Sequence, residues 1–217
     1  MVKKLVAEAI GTYFLVFTVG QTVLEPGAGQ FAPIAIGLAL GVMIYATGHI
    51  SGGHLNPAVT LGVFLRGKAT AAELAGYWIA QLIGAGLAAL GVLFLKGDVA
   101  PVTMTLAPLP ALMAEFLFTG ALVFVVLNVA TARGTEGNSF YGLAIGGTVT
   151  VGAFAVGGIS GGAFNPAVAV ALGMMNIVNF GDIWIHLLAD LAGGAAAAVI
   201  FNGFGFAGDK PVTAPPA

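Results

Sequence analysis

Six stretches of this chain, roughly 5–23, 33–50, 74–95, 109–131, 140–159 and 183–206, run nearly free of charge for about the length of a bilayer-crossing helix. Such a helix needs ~20 apolar residues to cover a ~30 Å hydrocarbon core. Spanning strands would be ~10 residues long and would alternate polar with apolar. Runs such as Ala121 to Val126 do not alternate, so the stretches read as helices. Only 7% of the residues are charged and 59% are hydrophobic, whereas a soluble domain carries about 25% charged residues. Water cannot solvate such a surface; lipid must. The Lys3-Lys4 start resembles a signal peptide, but Glu8 breaks the apolar run and no clear cleavage site follows, so it reads as a retained first helix.

The chain also repeats itself. Residues 50–58 and 159–167 share Ile-Ser-Gly-Gly-x-x-Asn-Pro-Ala, which sets Asn56 and Asn165 109 positions apart, half of the 217 residues. Ala7-Glu8 answers Ala114-Glu115, and Gln81-Leu82-x-Gly84 answers Asp190-Leu191-x-Gly193, at nearly the same offset. Each half, about 1–105 and 106–208, holds three spans with one such segment between its second and third. Three is odd, so the halves enter the membrane from opposite faces, and sites are expected where they meet near the midplane. Together they form one domain over 1–208, followed by a short disordered tail at 209–217 rich in proline.

The repeated words are the least suited to lipid. Gly52-Gly53 and Gly161-Gly162 favour irregular backbone. Asn56 and Asn165 suit a helix N-cap, and Pro57 and Pro166 the first helical position. The spacing predicts a half-helix of about ten residues, ~15 Å, from each proline. Irregular backbone at membrane depth persists only inside protein or beside a wet cavity. Two opposed half-helices meeting at their N-termini each present about half a positive charge. That repels cations while the Asn amides offer hydrogen bonds, and the glycine-rich lead-ins offer carbonyls. The result is a path for neutral, hydrogen-bonding molecules.

One Asn-Pro-Ala is a weak signal; two, each behind Ser-Gly-Gly and between spans, are strong. With Ala-Glu-Ala-Ile-Gly-Thr (7–12), Gly-His-Ile-Ser-Gly-Gly-His-Leu-Asn-Pro-Ala-Val-Thr (48–60) and Gly-Gly-Ala-Phe-Asn-Pro-Ala-Val (161–168), the chain resembles the aquaporin, or major intrinsic protein, family over nearly all of 1–208. The resemblance implies an all-α integral membrane fold of six helices plus two re-entrant half-helices, a homotetramer with one pore per subunit, and a passive channel for water or small uncharged solutes. Asn56, Pro57, Ala58, Asn165, Pro166 and Ala167 match the central motifs, and Gly52, Gly53, His54, Gly161, Gly162 and Ala163 the pore carbonyls. Counting from the two Asn residues, the selectivity filter falls on Ile36, Ala153, Gly162 and Val168, where water-selective members often have Phe, His and Arg in place of Ile36, Ala153 and Val168. Phe154 or Tyr141 is the candidate to refill the gap. Glycerol channels of the family typically carry Asp after that Arg, and Ala169 stands there instead.

Glu8 and Glu115 lie inside spans, where carboxylates are functional candidates by default. Their equivalent places in the repeats favour a structural task, accepting hydrogen bonds from the loops, over a proton relay. Asp190 occupies the place of Gln81 and is expected to bond nearby backbone; Thr47, Thr148 and Thr150 are expected to bond within or between helices. His49, His54 and His186 have no further ligand at metal spacing, and His54 near the pore entrance is a candidate pH gate. No cysteine, phosphate loop or nucleophilic constellation is present, so neither an enzyme nor a cofactor is implied, and nothing resembles a nucleic-acid footprint. The alternative function is an ion- or proton-coupled transporter built on inverted repeats, which would need charge in the path; a closed junction protein is a third. Lys3, Lys4, Arg66, Lys68, Arg133 and Lys210 fall on one side and Lys96 on the other, which places both termini in the cytoplasm of the cell's inner (plasma) membrane.

Overall fold

A computed structural model describes residues 1–97 and 103–208 of the chain; the tail assigned above as disordered lies outside them. Six long helices are present among the described residues: α1 (Val2–Val23), α2 (Ala32–Ser51), α4 (Ala71–Lys96), α5 (Pro108–Thr131), α6 (Tyr141–Ser160) and α8 (Ile183–Gly203). Two short ones, α3 (Pro57–Leu65) and α7 (Pro166–Met174), interrupt the series at the Asn-Pro-Ala words. Five of the long helices, α2, α4, α5, α6 and α8, are long and apolar enough to cross a membrane by length and composition alone. The remaining one, α1, has 22 residues and carries Lys3, Lys4 and Glu8 in its first half.

The bundle follows the repeat. In the first half α1 packs on α2 and α4; in the second α5 packs on α6 and α8. The halves are joined by α2 against α6 and by an exchange of short helices, α3 lying on α8 and α7 on α4. A Gly-x-x-x-Gly pair on each of α2 and α6, Gly37 with Gly41 and Gly142 with Gly146, permits the first contact. A Cβ on Gly41 would stand 2.9 Å from the Gly142 carbonyl oxygen, and a Cβ on Gly146 would run into the Gly37 carbonyl. Only hydrogen atoms fit there, and close approach through small residues is how helices gain packing energy in lipid. Thr150 adds a hydroxyl donated across the same seam to the Pro33 carbonyl at 3.2 Å, while Thr47 and Thr148 bond within their own helices, to Met43 and Ala144.

Lipid-facing side chains such as Phe94, Leu109, Leu143 and Val199 stay exposed. The polar residues turn inward: Glu8, Thr12, Gln81, Glu115, Thr119, His186 and Asp190 are all buried. That inversion of the soluble pattern follows from a solvent that cannot hydrogen-bond.

Candidate functional site

Each short helix is built by the residues that precede it, and the two copies agree closely. Gly52 and Gly161 end α2 and α6 in the left-handed conformation, at φ 95° and 91°, which glycine alone adopts without strain. Leu55 and Phe164 follow at φ 51° and 47°, an uncommon conformation for side chains of that size. Asn56 and Asn165 then return to extended backbone and cap the short helices. Asn56 Oδ1 accepts from the N–H of Ala58 at 2.8 Å, and Asn165 Oδ1 from that of Ala167 at 2.9 Å.

The starts of α3 and α7 meet. Asn56 Nδ2 donates to the Phe164 carbonyl at 2.8 Å, and Asn165 Nδ2 to the Leu55 carbonyl at 2.9 Å. The two left-handed residues thus aim their carbonyls at the opposite repeat's asparagine. A side-chain amide has two N–H bonds, so one hydrogen of each amide fastens the repeats together. The other is left for a molecule beside it.

Two buried carboxylates hold the lead-in loops. Glu8 accepts from the Ser51 hydroxyl, the N–H groups of His54 and Leu55 at 3.0 and 2.7 Å, and the Gln81 amide at 2.8 Å. Glu115 accepts from the Ser160 hydroxyl and the N–H groups of Ala163 and Phe164 at 3.0 and 2.7 Å. Loop N–H groups without helical partners would otherwise be buried bare, at about 1–3 kcal/mol each. Tyr77 and His186, equivalent in the repeats, close the motif by bonding the Ser51 and Ser160 carbonyls at 2.7 and 2.8 Å. Asp190 lies against the Asn165 backbone, as the sequence leads one to expect, and also accepts from the Thr119 hydroxyl at 2.8 Å, a side-chain partner the sequence did not signal.

A cavity of about 240 Å³ runs past this meeting point. Asn56 and Asn165 line it, as do Gly52, Gly53, His54, Gly161, Gly162 and Ala163, while Pro57, Ala58, Pro166 and Ala167 pack as buried helix starts behind. Ile36, Ala153, Gly162 and Val168 also line it. Phe154 does not; it is 57% exposed on the outer face of α6. Tyr141 does line the cavity, but it begins α6, twelve residues before Ala153 and so ~18 Å away along the axis. Neither candidate refills the ring. Its side chains are apolar throughout.

The cavity opens into a wider, more polar one of about 650 Å³, with His54 and Tyr141 at the join and Lys4, His49, Lys68, Glu73 and Arg133 around it. His54 Nδ1 pairs with the Thr60 hydroxyl at 3.2 Å. Among the described residues no group of three or more His, Asp or Glu gathers as a metal would require. The arrangement presents paired neutral donors where the short helices meet, carbonyl-bearing loops on either side, and no Asp, Glu, Lys or Arg among the described residues that line the smaller cavity.

Sequence reasoning missed two features. Nothing in Leu55 or Phe164 announces a left-handed backbone. The helix seam was signalled, by Gly37-x-x-x-Gly41 and Gly142-x-x-x-Gly146, but not assigned.

Comparison with known proteins agrees. The family model described as "Major intrinsic protein" matches residues 1–201. The chain is 37% identical over 226 residues to nodulin-26 of Glycine max, covering 97% of this chain and 80% of that one. It is 35% identical over 217 residues to aquaporin NIP1-4 of Oryza sativa subsp. japonica, covering 96% and 79%. Among solved structures, the aquaglyceroporin from Plasmodium falciparum superposes with a TM-score of 0.76 at 21% identity, covering 93% of this chain and 95% of that one. At that identity the likeness is one of fold.

Proposed function

The chain belongs to the major intrinsic protein family, and from that premise we propose that its pore passes water together with larger neutral solutes, because the filter positions Ile36, Ala153, Gly162 and Val168 carry no charge and no aromatic ring. It is a multi-pass membrane channel for water and small uncharged solutes, not an enzyme.

The finer reading rests on one observation: Ile36, Ala153, Gly162 and Val168 line a single cavity with no aromatic or cationic substitute among them. A filter with an imidazole and a guanidinium strips water's hydrogen bonds and replaces them, and it narrows the path. Four small or aliphatic groups do neither. They exclude glycerol, urea, ammonia, hydrogen peroxide or neutral metalloid hydroxides less, and they leave rejection of protons and cations to the two half-helix dipoles at Asn56 and Asn165. Gly52, Gly53, His54, Gly161, Gly162 and Ala163 supply the acceptor carbonyls in this reading, and Glu8 and Glu115 keep their loops in place. Four subunits assemble, each with its own pore. Both termini face the cytoplasm, and the membrane is the cell's plasma membrane.

Stopped-flow light scattering on proteoliposomes tests the solute reading. Glycerol and urea gradients should relax faster than in protein-free vesicles, as water gradients do. A pore that carries water and none of the larger solutes overturns it.

A further inference from the structure

The two repeats hold their loops alike except at one place, and there two acids face each other. In the first repeat the fourth donor to Glu8 is the Gln81 amide, at 2.8 Å. In the second repeat Asp190 stands at the position of Gln81. Its carboxyl lies against that of Glu115, as the Gln81 amide lies against Glu8, and the Asn165 backbone reaches the same carboxyl. Both acids are 0% exposed. The Thr119 hydroxyl donates to Asp190 Oδ1 at 2.8 Å, while Asp190 Oδ2 has no donor.

An amide can donate to a carboxylate; an ionised carboxylate cannot. Two ionised carboxylates in contact, sealed from water, would repel with little to screen them. We propose that Glu115 and Asp190 share one proton, so that an acid–acid hydrogen bond does for the Asn165 loop what the Gln81 amide does for the Asn56 loop.

The surroundings supply no countercharge. On α8, His186 Nε2 lies 3.9 Å from Glu115 and 2.8 Å from the Ser160 carbonyl. A carbonyl only accepts, so Nε2 carries its hydrogen. The ring's Nδ1 is buried without a partner. Among the described residues, the groups facing the pair from α5, α6 and α7 are Thr119, Ser160 and the Asn165 backbone, none of them charged, and α3, which also packs on α8, carries no titratable side chain. The second half-helix loop therefore depends on a removable proton and the first does not. Asp190 acts as a positioning residue: it touches no solute and works through Glu115. Raising the pH until the proton leaves puts two negative charges under the Asn165 loop and loosens it. Lowering the pH leaves the pair intact.

Infrared spectroscopy of the reconstituted channel tests the shared proton directly. At neutral pH the wild type should show a buried carboxylic-acid carbonyl band that shifts in heavy water. The band should be absent from Asp190→Asn and from Glu115→Gln, either of which suffices if the other fails to fold. Spectra of wild type and variant that superimpose in this region overturn the proposal. Water flux gives the positioning role: wild-type flux should fall severalfold over the alkaline range in which the band disappears, and Asp190→Asn should stay flat. Wild-type flux that holds while the band titrates away overturns that role. The flux arm relies on the channel reading and the infrared arm does not, so the two fail separately.

Discussion

At the scale of single residues, the proposed pore turns on what Val168 is and on what Asn56 and Asn165 do. Val168 is 5% exposed and lines the same cavity as Ile36 and Ala153. Replacing it by Arg places a cation and up to five donors in a ring that now has none. Val168→Arg should cut glycerol or urea flux at least about tenfold more than water flux, the effect of a barrier difference near 1.4 kcal/mol. Equal loss for all solutes in the same liposome assay would show that the ring is not the discriminating point. The asparagines are argued differently. Each amide already holds the other repeat with one hydrogen, so Asn165→Asp removes a donor and adds a charge that faces the Leu55 carbonyl. A carboxylate there partly cancels the positive half-helix ends and leaves a buried charge unpaired. The variant is expected to admit cations, seen as conductance in planar bilayers, or to fail to assemble. A variant that folds, keeps neutral flux and adds no conductance would remove the asparagines from the account of ion exclusion.

At the scale of elements, the extent of the short helices was legible because each sequence signal has a single physical reading. Asn-Pro is cap and first helical position together, and nine-residue helices from Pro57 and Pro166 follow. The six long helices were legible for the same reason: a bilayer sets their length. What stayed hidden lies in contacts between distant residues. Leu55 and Phe164 take left-handed backbone against their own preference, because the opposing asparagine rewards a carbonyl in that place. That strain, about 1–3 kcal/mol per residue, is fixed by tertiary structure and leaves no local trace. The Met104 N–H donating to the Ile177 carbonyl at 2.9 Å, which ties the segment before α5 to the loop after α7, is equally silent in sequence. The glycine seam between α2 and α6 is the intermediate case, its spacing visible but its partner not. It yields a firm expectation. A methyl group on Gly146 meets the Gly37 backbone oxygen rather than a movable side chain. Gly146→Ala must therefore spread the two helices that join the repeats, a cost of about 1–3 kcal/mol by comparison with other overpacked sites. Thermal unfolding in detergent should show a lowered midpoint, whereas Gly147→Ala, where a Cβ meets nothing within 4 Å, should not.

At the scale of the whole molecule, the two ends of the bundle differ in charge, and that difference predicts how the chain sits in the membrane. Lys4, Lys68 and Arg133 gather around the wider cavity at one end, with Lys4 paired to Glu73 at 2.6 Å. At the other end Lys96 turns its ammonium onto the carbonyls of Leu24 and Pro26, at 2.7 and 2.5 Å. Basic residues in short loops are retained on the cytoplasmic side during insertion, so the wide, basic mouth should face inward. The proposed apolar filter should then lie toward the outside, so that a solute entering the cell meets it before the asparagines. The chain has no cysteine, which makes the orientation readable by single substitutions at exposed sites. Gln30 lies in the connection from α1 to α2 and Glu136 in the connection from α5 to α6, and both are exposed. In intact cells, Gln30→Cys should react with a membrane-impermeant maleimide, and Glu136→Cys should react only after permeabilisation. The reverse pattern would mean that the charge count does not govern insertion here. The order in which a solute meets ring and asparagines would then be inverted, while the contacts that build both would stand unchanged.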